Sequence, residues 1–231
     1  MAGNKALELL WWGIPIVIIF ALAIITFIST HALDPFKEID SHKEPVSVQV
    51  IALEWNWLFI YPNDNIATLN DMKIPEDTPI NLSITSDAPM NTFWVPALAG
   101  QVYAMSGMTS KLHLMADKPG TYNGSSTNIS GEGYADMNFT VSSLTESDFY
   151  QWKKQAAKST QMLTADTYKE ISRPKKDRPV TTYMLMSPTL FHDVIMKYMD
   201  TPQKSDQPKK DNQPMDTMDH NAMSGMEGMS H

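Results

Sequence analysis

The side chains of this chain that could hold a metal lie in a loop rich in glycine, serine and asparagine, residues 120–137, GTYNGSSTNISGEGYADM. The loop offers the hydroxyls of Ser126 and Ser130, the phenol of Tyr134 and the thioether of Met137. Serine hydroxyls are hard donors that stay protonated at neutral pH, and a lone thioether is a weak ligand. The chain has no cysteine, which excludes a thiolate ligand, a disulfide framework and an iron–sulfur cluster. Taken alone, such a segment is an ordinary turn.

A second concentration of ligand atoms lies near the C-terminus. The side chains concerned are Met215, Met218, His220, Met223, Met226, Met229 and His231. Thioethers and imidazoles are soft ligands suited to Cu(I), so weak capture of copper for a partner is one interpretation. The other is a flexible solubilising tail, because residues 201–231 show no apolar periodicity and are expected to be disordered. The composition favours the second interpretation.

The charge of the chain excludes one class of partner. Its 231 residues include 18 lysines and arginines against 26 aspartates and glutamates, a formal net charge of −8. Binding to a phosphate backbone needs basic surface, so no nucleic-acid partner is expected. The length accommodates one ordinary domain with appendages.

Residues 9–28 form a run of twenty residues without a charge, and about 20 apolar residues are what a helix needs to cross a bilayer. A secretory signal peptide has a shorter apolar region of about 7–15 residues and small residues before its cleavage site. We therefore expect a short start over residues 1–8, a transmembrane helix over 9–30 and a linker over 31–45. Glu8, at the start of this helix, is either a functional ionisable group or a solvated interfacial carboxylate.

Alternating hydrophobic residues predict a β-rich domain over residues 46–143. Apolar side chains recur at every second position over 46–50, and again in the opposite phase over 53–57. This change of phase predicts a β-bulge near residues 51–52. Further strands are predicted around residues 80–84, 92–95, 111–115 and 137–141. Several short strands separated by turn signals indicate a β-sandwich.

The pattern becomes helical after residue 143. Apolar side chains at helical spacing predict helices over 145–158, 165–171 and 188–199. We group them as a helical, aromatic-rich C-terminal region over 144–200.

Three segments taken together closely resemble subunit II of the haem–copper respiratory oxidases, and in particular the quinol-oxidising branch, the cytochrome bo-type ubiquinol oxidases. They are VIALEWNWLFIYP (50–62), SDAPMNTFWVPALAGQVYAMSGMTSKLHL (86–114) and KPGTYNGSSTNISGEGYADMNF (118–139). The resemblance runs from about Lys5 to Met199. It implies a mainly β fold: a membrane-anchored, cupredoxin-like Greek-key β-sandwich with an N-terminal transmembrane helix and short C-terminal helices.

The resemblance also suggests what residues 120–137 once did; we call this segment the serine loop. In copper-bearing relatives this loop reads Tyr-x-Gly-x-Cys-x-x-x-Cys-Gly-x-x-His-x-x-Met and helps to hold a dinuclear copper centre. Carried over by position, the two histidines fall on Asn91 and Tyr134, the two cysteines on Ser126 and Ser130, the carbonyl donor on Asn128 and the methionine on Met137. Only Met137 keeps its ligand type. The resemblance therefore implies a vestigial copper loop, with no metal and no other cofactor expected in this chain.

A subunit without this copper has no means of accepting electrons from cytochrome c. The resemblance thus implies the non-copper subunit II of a proton-pumping ubiquinol oxidase, whose haems and oxygen-reducing copper lie in subunit I. Expected partners are subunit I, other membrane subunits and membrane lipid. Ubiquinol is expected as the substrate of the whole complex. The expected role is structural support, with Glu8 near the mouth of a proton pathway. Trp55 and Trp57 match an electron-relay cluster of the copper-bearing relatives, but packing is the favoured role here.

The family topology implies a bacterial inner-membrane location, with the N-terminal side cytoplasmic and the β domain periplasmic. Relatives have two membrane helices before the β domain, whereas this sequence shows one. We expect the first span to be missing through truncation, through a gene-model error or because a separate chain encodes it. The alternative is a genuine one-span variant. Two other functions remain open. One is a cytochrome c oxidase subunit II, and the other is a copper-handling membrane protein that acts through its tail.

Overall fold

The computed structural model describes residues 4–32, 37, 39, 41–176 and 178–199. Its longest element is helix α1 (Lys5–Ala32), in which hydrophobic side chains project on all sides and lie exposed. Among the described residues, α1 is the one helix long and apolar enough to cross a membrane. The predicted span over 9–30 lies within it.

Twelve strands of the described chain form two sheets. The seven-stranded sheet has the order β11-β12-β3-β2-β1-β5-β8, and the five-stranded sheet has the order β4-β10-β9-β6-β7. The strands are β1 (Val46–Leu53), β2 (Asn56–Tyr61), β3 (Ile66–Leu69), β4 (Asp71–Pro75), β5 (Ile80–Ser86), β6 (Asn91–Trp94), β7 (Val102–Ala104), β8 (Ser110–Leu114), β9 (Gly120–Ser126), β10 (Asn138–Leu144), β11 (Met162–Leu163) and β12 (Thr181–Leu185). The predicted β-sandwich is confirmed.

The predicted bulge near residues 51–52 is wrong. Strands β1 and β2 form an antiparallel hairpin whose register runs without interruption from Gln49 opposite Ile60 to Leu53 opposite Asn56. The change of phase arises because both faces of β1 are buried: Val48, Val50 and Ala52 face the main core, whereas Ile51 and Leu53 face a second core. The hairpin turn follows Leu53, and in it Trp55 adopts a left-handed conformation with φ of 67°. Tryptophan rarely adopts this conformation, so its residue type gives no signal of the turn.

The main core lies between the two sheets and is centred on an aromatic cluster. The ring centroids of Phe93 and Phe139 stack at 4.9 Å, and Trp57 meets each of them at 5.4 Å. These rings belong to β2, β6 and β10, so the cluster joins both sheets. Aromatic pairs of this geometry add about 0.5–1.5 kcal/mol each beyond the area that they bury.

A second core covers the other face of the seven-stranded sheet. Helices α2 (Glu146–Ala156), α3 (Ala165–Ile171) and α4 (Leu190–Met199) confirm the three predicted helices. The side chains of Thr145 and Thr164 cap α2 and α3 by accepting backbone N–H bonds. Apolar residues of α3 and α4 pack against β1, β2 and β3. Strand β12, which was not predicted, pairs with β3 and makes the C-terminal region part of this sheet.

Candidate functional site

The backbone of the five-stranded sheet brings Asn91 next to the serine loop. Strands β9 and β10 are antiparallel neighbours, and residues 127–137 connect them. On its other side β9 pairs with β6, with Phe93 opposite Ser126. Because Asn91 begins β6, strand pairing places it beside Ser126 although 35 positions separate them in sequence.

Hydrogen bonds connect three of the six predicted positions directly. The Ser126 hydroxyl lies 3.3 Å from Asn91 Oδ1 and 3.5 Å from the carbonyl oxygen of Asn128. It also accepts the backbone N–H of Thr92 at 3.4 Å. The Asn128 amide in turn donates to the carbonyl of Met90 at 2.6 Å. Asn91 and Ser126 are buried, so these polar contacts replace water and hold the base of the loop.

The other three positions lie further along the same loop. Ser130 is buried, and its hydroxyl has no hydrogen-bond partner within the described part of the chain. Tyr134 is half-buried and begins a 3₁₀ turn, Tyr134–Asp136. Met137 is fully buried in the main core, and its carbonyl accepts the N–H of Ser126 at 3.2 Å.

The chemistry of this donor set does not suit copper. The side-chain donors are neutral amide and hydroxyl oxygens, and the thioether of Met137 belongs to the hydrophobic core. A dinuclear copper centre of this kind is held by thiolate, thioether and imidazole ligands. Within the described ranges there is also no group of three or more histidine, cysteine, aspartate or glutamate side chains able to hold a metal ion.

Trp55 supports this loop by packing. Its indole lies so close to Gly133 that a Cβ there would stand 2.2 Å from Trp55 Cδ2. The indole N–H of Trp55 lies 3.4 Å from the carbonyl of Ser130. Trp57, by contrast, is fully buried in the aromatic cluster. These contacts favour the packing role that was expected for the two tryptophans.

A buried carboxylate near this loop was not identified from the sequence. Asp87 follows β5, and its side chain is 2% exposed. It accepts hydrogen bonds from the hydroxyls of Tyr168 in α3 and Tyr198 in α4, both at 2.8 Å, and from Lys197 Nζ at 2.6 Å. We call these four residues the Asp87 clasp. In the sequence the Ser-Asp-Ala-Pro segment is indistinguishable from a surface turn, because all three donors lie at least 81 positions away.

Electrostatics keep both phenols of the clasp in the donor form. Burial, together with the Asp87 carboxylate, raises the pKa of Tyr168 and the pKa of Tyr198 above the ordinary value of tyrosine. A neutral phenol donates to a carboxylate, whereas a phenolate would repel it. The clasp therefore ties the C-terminal helices to the loop that leads into Asn91.

The remaining predicted site residues lie elsewhere. Glu8 is exposed in the first turn of α1. The proposed tail ligands, Met215, Met218, His220, Met223, Met226, Met229 and His231, lie outside the described residues, so copper capture by the tail stays a prediction.

Comparison with known families agrees with this architecture. The family profile described as "Cytochrome C oxidase subunit II, periplasmic domain" matches residues 62–144, which include the serine loop. A second profile, described as "COX Aromatic Rich Motif", matches residues 157–201, which include α3, β12 and α4. The expected mainly β, cupredoxin-like fold with an apolar N-terminal helix and short C-terminal helices is confirmed.

Two relatives and one solved structure illustrate the similarity. The cytochrome bo(3) ubiquinol oxidase subunit 2 of Pseudomonas putida is 44% identical over 195 residues, which cover 84% of this chain and 62% of that relative. The protein of the same name from Buchnera aphidicola subsp. Baizongia pistaciae is 42% identical over 83% of this chain and 68% of its own length. This chain thus spans less than two thirds of the Pseudomonas protein. The periplasmic domain of cytochrome oxidase subunit II from Bradyrhizobium japonicum aligns with a TM-score of 0.48 and 17% identity, over 52% of this chain and 96% of that one.

The Asp87 clasp predicts the effect of a charge-removing substitution. Asp87→Asn should lower the free energy of unfolding by about 2 kcal/mol, because bonds to a charged acceptor are replaced by weaker neutral ones. Amide hydrogen exchange should accelerate mainly in α3 and α4. Asp77→Asn is the matched control: its side chain is 68% exposed and pairs with Lys43 at the surface, so its effect should stay within about 0.5 kcal/mol. Unchanged exchange in Asp87→Asn would show that the clasp does not hold the helices.

If residues 120–137 are a vestigial copper loop, as the resemblance implies, a copper centre can be restored there. The combined variant Asn91→His, Ser126→Cys, Ser130→Cys and Tyr134→His should bind copper and acquire the absorption of a thiolate-bridged dinuclear centre, because strand pairing already places Asn91 beside Ser126 and the loop that follows carries Ser130 and Tyr134. A variant without the Ser130→Cys change is the control and should lack that spectrum, since one thiolate cannot complete the double bridge. A colourless, copper-free four-site variant would show that the loop geometry has drifted from that of a copper site.

Proposed function

This chain belongs to the family of ubiquinol oxidase subunit 2 proteins, and we propose that it is the non-copper subunit II of a complex that transfers electrons from ubiquinol to oxygen. One observation carries this proposal. Ser126 and Ser130 occupy the thiolate positions of a loop that keeps Met137, and Ser126 is hydrogen-bonded to Asn91 in the sheet. The loop therefore keeps its shape without a metal, and this subunit supplies no electron-entry centre.

The electron chemistry then belongs to the partner. Neutral hydroxyl and amide groups have no accessible redox state, so this loop cannot act as an intermediate electron acceptor between the donor and oxygen. Quinol oxidation, oxygen reduction and proton pumping take place in subunit I, which carries the haems and copper. The rival function, a cytochrome c oxidase subunit II, needs thiolate ligands, and the chain contains no cysteine.

The role of this chain in such a complex is mechanical support. Helix α1 anchors the protein in the bacterial inner membrane with its N-terminal end towards the cytoplasm, and the β-sandwich lies in the periplasm. Two features make the sandwich a rigid body: the aromatic cluster that joins its sheets and the Asp87 clasp that fastens its C-terminal helices. A rigid body of this kind is suited to holding adjoining membrane subunits in a fixed arrangement.

Association with a haem-containing partner tests this proposal. A tagged full-length chain, extracted from its native membrane with mild detergent, should co-purify with a haem-carrying subunit and with ubiquinol oxidase activity. Membranes that carry the untagged chain are the control for non-specific capture. Purification of the intact chain without any haem protein would contradict the assignment.

Proton entry at Glu8 is a separate part of the proposal. The carboxylate lies exposed in the first turn of the apolar helix α1, where a proton-accepting group at the membrane surface can feed a pathway in the adjoining subunit. Glu8→Gln should slow the turnover of the assembled oxidase while its haem content stays normal. Glu146→Gln removes an exposed carboxylate from α2, outside the membrane helix, and should leave turnover unchanged. Equal rates for both variants would remove the proton-entry role and leave the supporting role intact.

A further inference from the structure

The Asp87 clasp places two tyrosine hydroxyls on one carboxylate, an arrangement that supports more chemistry than the fastening of helices requires. The hydroxyl of Tyr168 donates to Asp87 Oδ2 at 2.8 Å, and the hydroxyl of Tyr198 donates to Asp87 Oδ1 at 2.8 Å. Asp87 Oδ1 also accepts the ammonium of Lys197 at 2.6 Å. Within the described part of the chain, Asp87 Oδ2 therefore has a single side-chain donor, the phenol of Tyr168.

The carboxylate of Asp87 is positioned to take the proton of Tyr168. A base must lie within about 2.6–3.2 Å of the group whose proton it accepts, and the distance between Tyr168 and Asp87 meets this condition. In the resting protein the proton stays on the phenol, because burial and the neighbouring carboxylate raise the pKa of Tyr168 above its ordinary value. Loss of an electron reverses this preference, since an oxidised phenol is a far stronger acid than a carboxylic acid.

The tyrosines outside the clasp have no such acceptor among the described residues. Tyr61 donates to the carbonyl of Lys73 at 2.8 Å, and Tyr122 donates to the carbonyl of Lys118 at 3.2 Å. A peptide carbonyl accepts a hydrogen bond, but it does not take up a proton at neutral pH. Four further tyrosine hydroxyls make no hydrogen bond to any described residue: Tyr103, Tyr134, Tyr150 and Tyr183. Oxidation of these tyrosines has to release the proton to water, a much weaker base than a carboxylate.

The clasp combines an accessible phenol with a shielded proton acceptor. Tyr168 is half-buried, so part of its side chain reaches the surface, where an oxidant can remove an electron. The side chain of Asp87, in contrast, is buried. The carboxylate is held by three donors, so it stays in place when the phenol reacts. The electron therefore leaves to the outside while the proton moves over a short, fixed distance inside the protein.

We propose that Tyr168 is a one-electron donor to oxygen-derived radicals, with Asp87 as its proton acceptor. The oxidant takes one electron from the phenol, the O–H bond of Tyr168 breaks, and the proton forms a bond to Asp87 Oδ2. The products are a neutral tyrosyl radical, a carboxylic acid and the oxidant reduced by one electron. One electron from a quinol, with return of the proton to the phenol oxygen, restores the clasp. The class of oxidant rests on the proposed function, because a complex that reduces oxygen is a source of such radicals.

Flash oxidation of the full-length chain in detergent micelles tests this proposal, with photogenerated tris(bipyridine)ruthenium(III) as the oxidant. Electron paramagnetic resonance of samples frozen after the flash should show a tyrosyl radical. Tyr168→Phe should remove most of this signal, because the ring stays and the hydroxyl is lost. Asp87→Asn should remove it as well, since an amide takes up no proton. Tyr103→Phe is the matched control: Tyr103 is 48% exposed and has no carboxylate partner among the described residues, so the signal should stay unchanged. Circular dichroism checks that each variant is folded.

An undiminished signal in Tyr168→Phe would overturn the proposal, because the radical would then lie on another tyrosine. An equal or stronger signal in folded Asp87→Asn would also overturn it, since exposure of the phenol rather than proton transfer would then control oxidation. Radical formation should be slower in D₂O than in H₂O, and equal rates would show that the proton does not move with the electron. The oxidant here is synthetic, so none of these results bears on the oxidase assignment. Failure of the haem co-purification would remove the expected source of radicals and leave the result on Tyr168 standing.

Discussion

The pairing of β9 with both β6 and β10 is the constraint on which the site depends. This ladder sets Asn91 against Ser126 and brings the ends of the connecting loop together. In a metalloprotein the ion itself can organise such a loop, because ligand bonds contribute to folding. Here the loop rests on backbone pairing, on the contact between Trp55 and Gly133, and on the polar contacts of Ser126. Each of these contacts is made by the chain itself.

The same constraint explains how one scaffold can serve with and without copper. The positions that would need thiolate and imidazole ligands lie in the loop or at strand ends, whereas Met137 belongs to the main core and packs as a hydrophobic residue. Substituting ligands at such positions changes the chemistry while the aromatic cluster stays in place. The Asp87 clasp acts on the neighbouring segment and joins the aromatic-rich C-terminal region to the base of the site. The C-terminal helices and the segment that leads into Asn91 are thus fastened to each other.

Local signals in the sequence predicted much of this structure. Helix α3 was predicted with its observed bounds, and the threonine caps of α2 and α3 follow a well-understood preference. The candidate copper positions came from the resemblance to a family, and strand pairing then placed Asn91 and Ser126 together.

Features that depend on distant contacts were missed. The C-terminal helices bury the second face of β1, so Leu53 is apolar although it lies out of phase with Val50, and this pattern was interpreted as a bulge. Strand β12 is recognisable only through its pairing with β3, which lies over a hundred positions away. The Asp87 clasp likewise joins residues that are distant in sequence and come together only in the completed fold.

We propose that a subunit with the scaffold of a copper site, and without its ligands, serves a complex that takes electrons from quinol. The electron-donor specificity of the intact complex, purified through this chain, tests this most sharply. Rapid oxygen consumption is expected with ubiquinol, and none above background with reduced cytochrome c. Sustained oxidation of cytochrome c, with copper bound in stoichiometric amount to this chain, would contradict it.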